Sequence, residues 1–453
     1  MTATRRSAVT QFIHGIRSRL SQERTGGRVA KGSLQSILVN GTGAAASFLV
    51  QIMVARLLGI DGYGTYLLAL GWLAIAQLFA KLELDSTSVR FVGSYTATMR
   101  WSLLRGFLRS SRNAVLMAST AIAALSAVGI LLFSDAISTK HPGLPGALLT
   151  ACLLLPVVTL LLVEGAVLQG LQRYVQAQLP INLFRPLVFG LLLAVATFVI
   201  GMTATAPRAV GANLLGNLVA LAVATTWRRR AMPSELLAAT PAYDRQLWAR
   251  TAYPLFAVSL GQVVMSQQTD VIVVGLMLTT SDAAIYGAAS QLTMPLVLAA
   301  SSVTYVAQPM IADMYARDPE RLQGLIRAVT WLATILAVPI AIALITVGPY
   351  LLGLYGPAYK EGHSVLIILT VAQFVIGVVG SLAGFLMTMT AHEREAAQVI
   401  LSTAILNIVL ALVLTPKFGP VGTASATLTA AIARTLALRF YIKREMGLSL
   451  PAF

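Results

Sequence analysis

Residues 328–359 read AVTWLATILAVPIAIALITVGPYLLGLYGPAY, thirty-two consecutive positions without Asp, Glu, Lys or Arg. An α-helix rises about 1.5 Å per residue and the hydrocarbon core of a bilayer is about 30 Å thick, so about 20 mainly apolar residues cross it. Ala114–Phe133, Pro186–Pro207, Ala283–Ala312 and Ser364–Ala391 are equally free of formal charge. Of the 453 residues, 57% are hydrophobic and only 11% charged, with a mean hydropathy of +0.77. Soluble domains carry about 25% charged residues. So few charges cannot cover a soluble protein of this size, and the soluble enzyme classes are excluded.

Cutting the chain at glycine, proline and polar clusters predicts twelve helices. They lie near 33–58, 64–82, 113–134, 147–168, 181–202, 209–227, 252–278, 284–306, 328–348, 364–388, 397–415 and 421–441. In lipid each must be helical, because its backbone groups have no water to turn to. The short alternating segments of a membrane β-barrel are not visible. The expected fold class is an all-α polytopic membrane protein.

The cations orient it. Of 33 Lys and Arg, 25 fall in 1–32, 83–112, 169–180, 228–250, 307–327, 389–396 and from Arg439 onward. The opposite loops hold four: Lys140, Arg208, Lys360 and Lys417. This bias places both termini in the cytoplasm. It also absorbs the net charge of +16, which in a soluble protein would point to nucleic acid; no nucleic-acid partner is expected. Residues 1–32 form a basic tail, read either as disordered or as an interfacial helix on anionic lipid. No apolar signal region follows Arg5 and Arg6. An N-lobe of helices 1–6 (33–227), a cytoplasmic linker (228–250), a C-lobe of helices 7–12 (251–441) and a cytoplasmic tail (442–453) follow. The longest loops, 83–112 and 349–363, fall short of the about 50 residues a domain needs, so no catalytic head is expected and the protein is read as no enzyme. One cysteine, Cys152, and four scattered histidines (His14, His141, His363, His392) make no disulfide, metal cluster or other cofactor site.

The two halves look alike. Tyr63-Gly64 opens helix 2 and Tyr286-Gly287 opens helix 8. Gln169-Gly170-Leu171-Gln172-Arg173 precedes helix 5, and Thr390-Ala391-His392-Glu393-Arg394 precedes helix 11. Six helices per half keep the repeats parallel, two lobes around a central cavity that work by rocking.

Four stretches carry a resemblance to a known family. Gly59-Ile60-Asp61-Gly62-Tyr63-Gly64-Thr65-Tyr66 resembles the helix 1–2 turn of polysaccharide exporters in the multidrug/oligosaccharidyl-lipid/polysaccharide (MOP) superfamily. Gln268-Thr269-Asp270-Val271-Ile272-Val273-Val274-Gly275 is similar to their helix 7, and Leu354-Tyr355-Gly356-Pro357-Ala358-Tyr359 to their turn between helices 9 and 10. Asn407 with Pro416-Lys417-Phe418-Gly419-Pro420-Val421-Gly422-Thr423-Ala424 is similar to their helix 11–12 hairpin. The resemblance covers essentially the whole chain and is strongest to Wzx-type flippases. It implies movement of undecaprenyl-diphosphate-linked oligosaccharide (an O-antigen, capsule or exopolysaccharide repeat) from the cytoplasmic to the outer leaflet of the bacterial inner membrane. It also implies membrane lipids and a polymerase among the partners, no cofactor, and a proton or sodium gradient as the coupling source to consider. The alternative in the same superfamily is a MATE-like cation-coupled drug antiporter. That would want buried carboxylates, of which Glu164 and Asp270 are the two available, one per half.

A diphosphate head cannot cross hydrocarbon unpaired, so ionisable residues inside helices are candidate path residues. Arg434 in helix 12 either grips phosphate or snorkels to the interface. Arg185, just inside helix 5, has the same two readings, with Glu164 at the foot of helix 4 as its expected partner. Arg90 lies where the resemblance implies an arginine at the inner mouth. Gln51 on helix 1 and Gln267, Gln268 and Asp270 on helix 7 are the sugar-facing and ion-coupling candidates. The alternative for each is an interhelical hydrogen bond.

Overall fold

The computed structural model describes residues 24–264, 266–317, 319–389 and 393–446. The basic tail up to residue 23 and the C-terminal tail from 447 lie outside the described residues, as do 390–392 of the second repeat motif. The described chain is helical throughout, with no strand. Ten of its helical segments are long and apolar enough to cross a membrane. The protein is a multi-pass, all-α membrane protein.

Ten against the twelve expected has two local causes. The expected spans 33–58 and 64–82 lie in one continuous element, Arg24–Lys81, counted as the single segment Leu38–Lys81. Its 44 residues would measure about 66 Å if straight, twice the core, and it folds at Gly59 (φ 71°, ψ 177°). Glycine takes that positive φ without the Cβ penalty of other residues. The second cause corrects the reading of 252–278 as one helix. Arg245–Val264 and Gln267–Met277 are separate, and Ser266 between them is extended (φ −82°, ψ 155°). Ser266-Gln267-Gln268-Thr269 is a run of side chains that compete with the helical backbone for hydrogen bonds.

Three π-turns interrupt other spans, at Pro180–Phe184, Val195–Val199 and Ile376–Gly380. Such turns are frequent at functional sites. In the first, the Arg185 N–H reaches back five residues to the Pro180 carbonyl.

The chain divides into two compact units, one of Lys31–Val263 with Thr279–Ala284, the other of Val264–Leu278 with the described residues up to Ala30 and from Ile285 on. In the first, the stretch expected as a linker folds onto the helices Leu84–Ala97 and Trp101–Leu132. Arg105 Nη1 donates to the Leu237 carbonyl (2.8 Å) and the Ala239 carbonyl (2.5 Å), and the Ala242 N–H donates to Ser102 O (2.9 Å). Trp248 Nε1 donates to the Tyr95 hydroxyl (3.0 Å) and meets Phe107 edge-on at 5.2 Å. Phe91, Leu104, Val167 and Leu236 complete this core. At the other end of the unit, Asp61 Oδ1 accepts from Thr280 (2.9 Å) and Ser281 (2.6 Å).

Gly106 faces the Ala242 backbone so closely that a Cβ would overlap its carbonyl. Backbone cannot rotate away as a side-chain tip does. Gly106→Val is therefore expected to cost about 1–3 kcal/mol, read as a lowered melting temperature of the purified protein. An unchanged melting temperature contradicts this packing.

Candidate functional site

A buried polar cluster in the second unit centres on Asp270, one turn into Gln267–Met277. Its carboxylate is buried and accepts three hydrogen bonds. Tyr286 Oη (2.9 Å) and Thr427 Oγ1 (3.0 Å) donate to Oδ2, and Asn407 Nδ2 (3.2 Å) donates to Oδ1. No Lys or Arg pairs with Asp270 among the described residues. Three neutral dipoles, with no cation, surround this one carboxyl group. Asn407 Oδ1 is buried without a hydrogen-bond partner among the described residues, leaving one acceptor in the cluster uncommitted. The Tyr286 of the repeat motif is thus tied to the aspartate of the helix 7 motif. Asn407 was legible as a helix 11 amide; Thr427 was not, one threonine among several on its helix.

Gln267 Nε2 donates to Thr293 Oγ1 at 3.4 Å, and Gln268 is exposed. Neither joins the Asp270 cluster. Arg434, in Pro420–Met446, is half-buried, and its Nε has no hydrogen-bond partner among the described residues; the adjacent Thr435 Oγ1 is likewise unpaired. Thr435 lies against Gly380 at the end of the third π-turn.

In the first unit, Tyr63 repeats the Tyr286 arrangement with a neutral acceptor, its hydroxyl donating to Gln51 Oε1 at 3.3 Å. Tyr66 stacks on Tyr63 and on Phe189 and turns its hydroxyl toward Gln51, Asn213 and the Arg185 guanidinium. Glu164 pairs with Arg228, Nε to Oε2, not with Arg185 as expected. The partner is the first of the three arginines ending Ala206–Ala231, a helix packed along Leu144–Gly170. Arg90 is exposed on Leu84–Ala97, apart from these clusters. His141, in the loop before Leu144, is buried, and burial beside Lys140 holds its imidazole below the ordinary value. No group of His, Cys, Asp and Glu with metal-ligand geometry occurs among the described residues.

With that geometry in place, comparison with known proteins is informative. Residues 29–315 match the family described as polysaccharide biosynthesis protein, and residues 254–413 match the MatE family. The first match spans more than half of the chain, and the chain belongs to the polysaccharide biosynthesis protein family. Among curated protein sequences none matches. Among solved structures it is similar to the lipid II flippase MurJ in an inward closed conformation (TM-score 0.70, 14% identity, 90% of this chain and 87% of that one). It is also similar to an inward-facing multidrug resistance MATE family transporter of the MOP superfamily (TM-score 0.67, 15% identity, 89% and 94%). A MOP superfamily transporter from Pyrococcus furiosus aligns with TM-score 0.63 at 15% identity, over 91% and 96%. At these identities the likeness is one of fold, and the fold is that of the MOP transporters.

Removing the Asp270 carboxylate leaves three buried donors without their acceptor, each costing about 1–3 kcal/mol. Asp270→Ala should lower the thermal stability of the purified protein clearly more than Thr427→Val, which removes one donor only. Equal melting temperatures for the two variants contradict the cluster as described.

Proposed function

We propose that the protein is a flippase moving undecaprenyl-diphosphate-linked oligosaccharide from the cytoplasmic to the outer leaflet of the bacterial inner membrane, by alternating access of its two six-helix lobes. The observation that carries this reading is the match of residues 29–315 to the polysaccharide biosynthesis family. The similar fold of a protein described as a lipid II flippase supports a lipid-linked substrate. Membrane lipids and a polymerase acting on the exported repeats are its expected partners, with the protein itself no enzyme.

In this reading each unit carries one arginine for the diphosphate on its path, Arg185 in one and Arg434 in the other, because a guanidinium grips phosphate oxygens through two N–H groups where lysine offers a point charge. The unpaired Arg434 Nε supports the role. Arg90 guides the head at the cytoplasmic mouth, and Gln51, Gln267 and Gln268 offer amides to sugar. Glu164 holds Arg228 rather than substrate. Asp270 is the coupling group: binding a proton or sodium ion would loosen its hold on Tyr286, Asn407 and Thr427, which join three helices of one unit. Its carboxylate and the uncommitted Asn407 Oδ1 are oxygens of the kind sodium takes.

The second reading, a cation-coupled drug antiporter, is favoured by the MatE match over 254–413, which contains Asp270 and Asn407. Under either reading the cation distribution supports a cytoplasmic position for both termini and 228–250.

Two tests follow. The native thiol, Cys152, is buried; in a Cys152→Ala background, an impermeant maleimide applied to intact cells should label a cysteine at 360 and leave one at 245 unlabelled. Labelling at 245 overturns the orientation. Separately, Arg434→Ala should abolish polymer export at normal protein abundance, and Arg434→Lys should be intermediate. Full export by Arg434→Lys, with reduced abundance of Arg434→Ala, makes this residue a membrane anchor instead.

A further inference from the structure

Where helix Arg185–Ala194 passes through its π-turn and ends, a groove of about 350 Å³ opens against the start of Ala206–Ala231. The π-turn widens the helix there: Ile200 N–H reaches back five residues to Val195 O (3.1 Å), and Met202 N–H bonds Ala196 O (2.9 Å). Leu192, Val195 and Ile200 form one wall, and Gly211, Ala212 and Leu215 the other. The small side chains of Gly211 and Ala212 leave the space free. Beside it Phe198, Val199 and Ile200 are exposed apolar residues.

One cation borders this apolar space. Arg208 lines the groove and is held there by its Nη1, which donates to Thr203 O and Thr203 Oγ1, both at 2.6 Å. Those bonds leave the Nη2 and Nε donors for a ligand. Arg208 stands twenty residues before Arg228 on one helix, about 30 Å along the axis, the thickness of a hydrocarbon core. When Arg228–Arg230 lie at one headgroup plane, Arg208 lies at the other. Thr197, also in the groove wall, carries a buried Oγ1 with no hydrogen-bond partner among the described residues.

We infer that this groove seats one anionic glycerophospholipid. An acyl chain lies between the two apolar walls, and the phosphate meets Arg208. The exposed apolar Phe198, Val199 and Ile200 open the groove to bilayer lipid, whose bulk anionic component is a glycerophospholipid, and the apolar walls disfavour free phosphate. The site is independent of what the protein transports.

The test uses the full chain in nanodiscs with phosphatidylglycerol or phosphatidylcholine carrying a photoactivatable acyl chain, and peptide mapping of the labelled sites. Phosphatidylglycerol should label 192–215 about fivefold more than phosphatidylcholine, the preference a single arginine near a headgroup plane provides. Arg208→Gln should remove that preference, and Ala212→Phe, which fills the groove and keeps the cation, should reduce labelling by both lipids. Equal labelling by the two lipids in the wild type, or labelling unchanged in both variants, overturns the proposal. Displacement by undecaprenyl phosphate but not by unlabelled phosphatidylglycerol overturns the choice of occupant.

Discussion

A peptide N–H or C=O facing lipid finds no partner outside its own helix, so each departure from the helical ladder inside a membrane span carries a cost. In this chain the departures adjoin buried polar groups. The π-turn Pro180–Phe184 delivers Arg185. The break at Ser266 precedes Asp270 by one turn. The π-turn Ile376–Gly380 ends against Thr435, next to Arg434. Irregular backbone at membrane depth is tolerated where protein or a cavity satisfies it. Here it accompanies three charges that a uniform apolar bundle would not contain, Arg185, Asp270 and Arg434.

The two units share a motif and differ in its chemistry. Each has a buried tyrosine from a Tyr-Gly pair that donates to a polar side chain on the preceding helix. In one the acceptor is Gln51, with the guanidinium of Arg185 nearby; in the other it is Asp270. One unit therefore surrounds its tyrosines with amides and a cation, while the other surrounds an anion with hydroxyls and an amide.

The spans themselves were legible because lipid imposes one rule on every residue: about 20 apolar positions, then punctuation. What escaped the sequence was where that rule is broken. Nothing in hydropathy separates Arg245–Val264 from Gln267–Met277, although the run Ser266-Gln267-Gln268-Thr269-Asp270 was the local sign. Asp270 was recognisable as an anomalous carboxylate, but Thr427 lies 157 positions away, and no local pattern joins them. The Glu164–Arg228 pair escaped for a related reason. Arg185 seemed the natural partner by depth, and the choice depends on which helix packs beside Leu144–Gly170. Residues 228–250 read as a linker because prolines and charges look alike in docked and free segments; the contacts made by Arg105 and Trp248 are long-range.

What the protein carries can be measured directly. Purified protein in liposomes would be offered a fluorescent undecaprenyl-diphosphate oligosaccharide and, separately, a lipophilic cationic dye, and the fraction of each reaching the opposite face would be followed over time. Protein-dependent appearance of the oligosaccharide, competed by unlabelled lipid-linked oligosaccharide and without movement of the dye, is the predicted result. Gradient-driven transport of the dye with the oligosaccharide left in place would contradict the flippase account and leave an antiporter.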